Sequence, residues 1–227
     1  MGKTKIEWCD ETVNPVIGCT YGCSYCYAAR LNKRFKWVKE WGKPEVFPDK
    51  LDYIAKLRKP KNIFMNSMSD VADWNIDIVK KVNRVMHDNS HHNYLFLTKR
   101  PEAISYYLGI NTEIWLGVTY TTDDDWTRLG CLIEETSARR KFLSIEPLHD
   151  EVSIAPKYLN QIDWIIIGAE TGNRKGKIIP KKEWIMKIVE EAKKHNVPVF
   201  MKDSLIEIIG KDNILQEFPI ELIAFYI

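Results

Sequence analysis

Short apolar runs rich in β-branched residues recur along the chain at Val13–Ile17, Ile63–Met65, Tyr94–Leu97, Ile114–Val118, Phe142–Ile145, Trp164–Ile167 and Val197–Met201. Most are too continuous for strands with one wet face, and they read as strands buried on both faces. Helical patterns lie between several of them. Asn75–His87 repeats Ile76, Val79, Val82, Val85 and Met86 on one face. Pro180–His195 opens on a proline suited to a first helical turn and repeats Trp184, Ile185, Ile188, Val189 and Ala192. Asp123 or Asp124 is placed to cap a third helix running to Ile133. Strand–helix alternation predicts an α/β fold with a parallel sheet and right-handed crossovers. Strand starts after the first are about 20–33 residues apart, the spacing of a βα repeat. Seven strands suit an incomplete (β/α) barrel better than a closed eight-stranded one, with a doubly wound open sheet as the alternative. Trp41–Pro60, with three prolines, reads as an excursion between the first two strands.

Composition narrows the class. The chain has 227 residues, 45% apolar and 28% charged, with a net charge of +2. That balance excludes a disordered chain, a collagen-like repeat and a polyelectrolyte tail. It also removes any global electrostatic case for nucleic acid and leaves only a local basic patch. No apolar run approaches the ~20 residues of a membrane span. Met1–Asp10 is charged and lacks the apolar stretch of a signal peptide. The expectation is a soluble, cytoplasmic protein of one domain spanning residues 1–227, with no membrane partner.

The cysteines change the picture most. Of five (Cys9, Cys19, Cys23, Cys26, Cys131), three fall between Cys19 and Cys26. An odd count without a signal peptide argues against a disulfide framework. Gly18 and Gly22 permit the loop to fold around one centre and aim its sulfurs inward. Structural zinc commonly takes two ligand pairs separated by a longer loop, and no second pair follows here. An electron-transfer 4Fe–4S cluster takes four cysteines, and only the isolated Cys9 or Cys131 could supply the fourth. A three-thiolate cluster with one open iron is the remaining possibility.

Cys19, Cys23, Tyr25 and Cys26 form C-x3-C-x-aromatic-C, which resembles the signature of the radical S-adenosylmethionine (SAM) superfamily. The resemblance implies that Cys19, Cys23 and Cys26 hold a 4Fe–4S cluster whose fourth iron chelates SAM. One electron then yields a 5′-deoxyadenosyl radical that abstracts hydrogen from substrate. It also implies a partial (β/α) barrel of about six parallel strands, with the seventh run as an edge or C-terminal extension. The phrases KIEW, NPVIGC, CYAARL, IFMNSMSD, LTKRP, WLGVT, SIEPL and IIIGAETG, in this order, are similar to a phage-associated three-cysteine family of uncharacterised radical SAM-like proteins.

In barrels and open α/β sheets, sites form at the carboxyl ends of strands. The SAM candidates there are Asn66, Ser67 and Ser69 near the methionyl amine, Lys99 near the carboxylate, and Ser144 or Glu146 near the ribose. Glu146, Glu170 and Lys202 are the candidate catalytic groups. Tyr25 either packs beside the adenine or fills the loop. Cys9 either donates a hydrogen atom or is a buried apolar thiol, and Cys131 reads as core. Most tryptophans adjoin apolar runs and read as packing. Lys99, Arg100, Lys202 and the loop Arg174–Lys177 could gather cations at one rim for an anionic substrate, a nucleotide or nucleic acid ahead of a small metabolite or peptide. A one-electron donor such as a flavodoxin or ferredoxin is the implied partner. The competing class is a non-catalytic zinc- or cluster-binding module.

Overall fold

The computed structural model describes residues 4–104 and 114–223. Its main sheet has seven strands: β1 (Glu11–Thr12), β2 (Asn62–Phe64), β3 (Asn93–Thr98), β4 (Ile114–Thr119), β5 (Arg140–Ile145), β6 (Trp164–Ile167) and β7 (Val199–Met201). They stand side by side in chain order. The pairs β1/β2, β2/β3, β5/β6 and β6/β7 are parallel. Sequential strands with crossovers between them are the wiring of a partial (β/α) barrel. The seventh run is the edge strand of this sheet, as the edge alternative expected.

Two of the sequence-expected strands are displaced, and proline explains both. β1 ends before Pro15, which has no N–H to give the ladder. Val13 still donates to the Phe64 carbonyl at 3.0 Å. Val16–Ile17 then leaves the sheet and pairs antiparallel with Glu45–Val46, inside the expected excursion. At the other edge Pro198 delays β7 until Val199. Three helices match the apolar periodicity closely. α2 (Ile76–Asp88) is capped by Asn75, whose Oδ1 accepts from the Ile78 N–H at 3.0 Å. α3 begins at Trp126, after a 3-10 turn through the three aspartates, and runs to Glu134. A short turn, α4 (Pro156–Leu159), precedes α5 (Lys182–Lys194), which begins two residues after Pro180. The helix α1 (Tyr27–Phe35) has no counterpart among the expected elements.

The chain packs as two compact units. The first comprises residues 1–116 and 137–139, and the second 117–136 and 140–227. In the first, Ile63, Leu95, Phe96, Val82, Leu51 and Ile54 are fully buried, and Trp8 lies 4.7 Å from the Phe64 ring. In the second, Leu143, Ile145, Ile165, Val199 and Ile185 are fully buried around Trp164, whose indole N–H donates to the Glu217 carbonyl at 2.9 Å. Trp115 and Trp164 are therefore packing residues.

Gly117 in β4 shows how tight that core is. A Cβ built there would fall 2.4 Å from the Phe142 ring, closer than any atom can sit. Gly117→Ala is therefore expected to cost about 1–3 kcal/mol as an overpacking change. The check is a thermal melt, in which an unchanged midpoint would contradict this packing.

Candidate functional site

The cysteine loop grows from the short antiparallel ribbon. Gly18 donates its N–H to the Met68 carbonyl at 3.0 Å, and Cys19 donates to Trp41 O at 2.9 Å. Gly18 has φ +111°, and a Cβ there would meet the Pro44 Cα at 2.8 Å and Trp41 O at 2.9 Å. Only glycine fits this position, immediately before the first sulfur. Thr20 is fastened by two bonds, its N–H to Asp73 Oδ2 at 3.0 Å and its hydroxyl to Asp73 Oδ1 at 2.7 Å. Arg100 closes the network, lying 2.9 Å from Asp73 Oδ2 and donating to Thr20 Oγ1 at 3.1 Å. Burial pushes the Asp73 carboxyl up, but the hydrogen bonds from Thr20 and Arg100 outweigh it and hold it below the usual carboxylate range.

The three sulfurs are half-buried and none is in a disulfide. Cys19 Sγ accepts the Tyr21 N–H and Cys26 Sγ accepts the Ala29 N–H, each at 3.4 Å. Cys26 thereby caps α1. Burial pushes the Cys19 thiol up to about 12, with Asp70 and Asp73 adding to the rise. Burial raises the Cys23 thiol too, against the opposing charge of Lys99. Lys99 Nζ also sits 5.5 Å from the centre of the Tyr25 ring, so Cys23, Tyr25 and Lys99 share one locality. Cysteine sulfurs are soft donors suited to thiolate-held metal groups, and these three lie within eight residues of one loop. The donor set therefore fits a thiolate-held metal group. Among the described residues, no three His, Cys, Asp or Glu side chains are arranged around a point as ligands of a metal ion.

The neighbouring strand ends hold themselves together with their polar side chains. Asn66 is buried; its Oδ1 accepts Leu97 N–H at 3.0 Å, and its Nδ2 donates to Leu97 O at 2.6 Å and Ser69 O at 3.3 Å. Ser67 exchanges hydrogen bonds with the Asn14 amide at 3.0 and 3.1 Å, and its carbonyl accepts the Tyr27 hydroxyl at 2.7 Å. Ser69 Oγ accepts the Trp74 indole N–H at 2.9 Å. Asp70 accepts from Thr98 Oγ1 at 2.7 Å and from the Lys99 N–H at 3.0 Å. In this structure these groups order the rim beside the cysteines. Asn14, Thr20 and Asp73 carry the loop and were not among the sequence candidates. Thr20 and Asp73 stand 53 residues apart, and no spacing rule joins them.

The second unit holds Ser144, Glu146, Glu170 and Lys202. Ser144 is buried on β5. Glu146, after β5, and Lys202, after β7, form an ion pair. Gly168 makes room for it, since a Cβ there would press on Glu146 Cγ and Lys202 Cδ at 3.1 Å each. Glu170 is buried and gripped at both oxygens by Arg174, with Nε at 2.7 Å and the second guanidinium nitrogen at 2.7 Å. His149, a further residue absent from the sequence candidates, places Nε2 3.4 Å from the same carboxylate. Hydrogen bonds from Arg174 hold the Glu170 carboxyl below its ordinary range despite burial. Arg174 and Lys202 are thus neutralised by carboxylates of this chain, and Arg100 by Asp73. Cys9 is a half-buried thiol pushed up to about 12, chiefly by desolvation, donating weakly to Ile6 O at 3.9 Å. Cys131 is half-buried on α3 beside Glu135, and so is not the core residue expected.

Residues 3–205 match the family described as a protein of unknown function, DUF5131, and the chain belongs to that family. Over 71 residues it is 38% identical to "Uncharacterized protein MJ0683" of Methanocaldococcus jannaschii, a match covering 31% of this chain and 27% of that relative. Its fold is similar to a radical SAM methyltransferase from Sphaerobacter thermophilus, with a TM-score of 0.55 at 14% identity, over 84% of this chain and 65% of that one. A spore photoproduct lyase mutant gives a TM-score of 0.55 at 10% identity, over 88% of this chain and 79% of that one. The likeness to both is one of fold, the partial (β/α) barrel described above. No helix among the described residues is long and apolar enough to cross a membrane.

The lowered Glu170 carboxyl has a consequence for stability. Its contribution is complete above the unfolded carboxylate value of about 4.3 and is lost as pH falls through the lower folded value. Glu170→Gln is expected to lower the melting midpoint by a few degrees near neutrality and by progressively less below that range. A deficit of constant size down to strong acid would contradict the assignment.

Proposed function

We propose that this chain is a radical SAM enzyme whose Cys19, Cys23 and Cys26 hold a 4Fe–4S cluster. The observation that carries the reading is the three-cysteine loop, with two sulfurs accepting backbone N–H bonds, in a chain whose fold is similar to that of a radical SAM methyltransferase. When bound, the cluster and SAM supply reductive cleavage to a 5′-deoxyadenosyl radical. The chain's own part is to seat and shield them. The N–H donors of Tyr21 and Ala29 stabilise negative charge on Cys19 and Cys26. Lys99 does the same for Cys23 and, with Tyr25, offers a cation and an aromatic face toward SAM. Asn66, Ser67 and Ser69 order the strand ends beside them, and Ser144 is proposed near the ribose. Glu146, Glu170 and Lys202, and now His149, are the groups proposed to meet substrate.

The proposed substrate is a nucleotide or nucleic acid, with a flavodoxin or ferredoxin as electron donor. Arg100, Arg174 and Lys202 already face carboxylates, so of the expected rim the exposed Lys175 and Lys177 are proposed to meet its phosphates.

Anaerobically purified protein is expected to be brown with about four irons per chain. It should cleave SAM when reduced, and Cys23→Ala should lose most of the iron. Cys9→Ser and Cys131→Ser should keep it. Stoichiometric zinc without iron, or iron loss in either serine variant, would overturn the three-cysteine assignment.

A further inference from the structure

The helix that leaves the cysteine loop is inside out. α1 buries only Ala28 and Asn32, while Tyr27, Leu31 and Phe35, four residues apart on one face, are 42%, 37% and 52% exposed. The apolar stripe that an amphipathic helix normally hides is here turned to solvent. It continues past the helix end. Lys36 turns left-handed at φ 54°, and the buried Asn32 side chain clamps the next segment, donating to Val38 O at 3.1 Å and accepting Val38 N–H at 3.0 Å. Val38 is driven into a small core with Ile17, Ala28 and Met68. Trp37, between the turn and the clamp, is thrown outward at 41% exposure and stacks on Phe35 with ring centres 5.0 Å apart. The aromatic pair is therefore built in place by buried contacts and does not arise from a loose loop.

Charge accompanies the rings. From Tyr27 to Lys43 there are six Lys or Arg and one Glu, in a chain whose net charge is only +2. Lys33, Arg34 and Lys36 are exposed among the aromatics, and the Arg34 guanidinium lies 5.1 Å from the Phe35 ring centre. Preformed stacking faces interleaved with cations match a single-stranded nucleic acid, whose bases stack and whose phosphates pair. A membrane surface fits less well. Such a face needs broad aliphatic area to enter the acyl boundary, and Leu31 is the sole aliphatic among α1's exposed large apolar residues.

We infer that the exposed face of α1 with Trp37 is a docking surface for single-stranded nucleic acid. It adds an anion-binding surface next to the cysteine loop in the chain, and rests on the functional reading above only for its relation to catalysis. The test needs neither SAM nor reductant. Fluorescein-labelled oligothymidylate is titrated with the anaerobically purified full chain, following anisotropy across a salt series, with circular dichroism as the folding control. The unaltered protein should bind, and Phe35→Ala with Trp37→Ala should weaken binding about 10- to 100-fold, given ~1–3 kcal/mol per stacked base. Trp37→Phe, which keeps a stacking face, should bind nearly as tightly as the unaltered chain. Arg34→Gln with Lys36→Gln alters exposed side chains only, and serves if the aromatic variant unfolds. It should make the salt slope shallower by about 0.7 per cation removed.

Absence of binding at low salt would overturn the inference, as would equal affinity in the alanine variant. So would Trp37-dependent binding to phosphatidylserine vesicles with none to the oligonucleotide. Binding that survives while SAM cleavage fails would leave this surface standing and remove the enzyme reading. The converse result would do the reverse.

Discussion

Gly18 is the position on which the cysteine loop depends. The chain must pass within contact distance of the Trp41 carbonyl and the Pro44 backbone before presenting its first sulfur, and any side chain would block that passage. Once through, the loop gives up its own regular hydrogen bonding and borrows partners from elsewhere: Met68 O, Trp41 O and the Asp73 carboxylate. Met68 is itself fixed by the Asn14 amide, and the Asn66 and Asp70 side chains substitute for missing backbone bonds at the neighbouring strand ends. The result is three half-buried thiols in a frame held mainly by other groups, with Cys26 also capping α1. Such a frame can be built before a metal group arrives and can orient it afterwards.

Much of this was legible in the sequence. Continuous β-branched runs are forced by burial on both faces, and all seven mapped onto or beside sheet strands. The boundary errors follow from Pro15 and Pro198, whose missing N–H ends or delays pairing without altering the apolar pattern. α1 escaped because its pattern is inverted, with small Ala28 and polar Asn32 inside and Leu31 and Phe35 outside. The cysteine triplet announced itself by local spacing. Its supports did not, because Thr20–Asp73, Asn14–Ser67 and Arg100–Thr20 join residues 53, 53 and 80 apart in the chain. Only the fold brings such pairs together.

The charged strand-end residues carry a related lesson. Counted in sequence, Arg100, Arg174 and Lys202 look like spare cations at a rim. In the structure each faces a carboxylate, and the Glu170–Arg174 pair has two-point geometry around a buried acid. Guanidinium groups held this way position their partners more than they attract ligands from solution. Along α1 and the residues after it, six Lys or Arg stand against one Glu beside exposed rings. Candidate chemistry and basic surface are therefore adjacent in sequence, joined through Cys26, which ends the loop and caps the helix.

The central claim is that three cysteines hold a cluster with an open position for SAM. Electron paramagnetic resonance of the reduced, anaerobically purified protein tests it most directly, recorded with and without SAM. The account predicts a reduced-cluster signal that changes when SAM is added and disappears in Cys26→Ala. A cluster signal indifferent to SAM, or none in a protein that carries zinc, would contradict it.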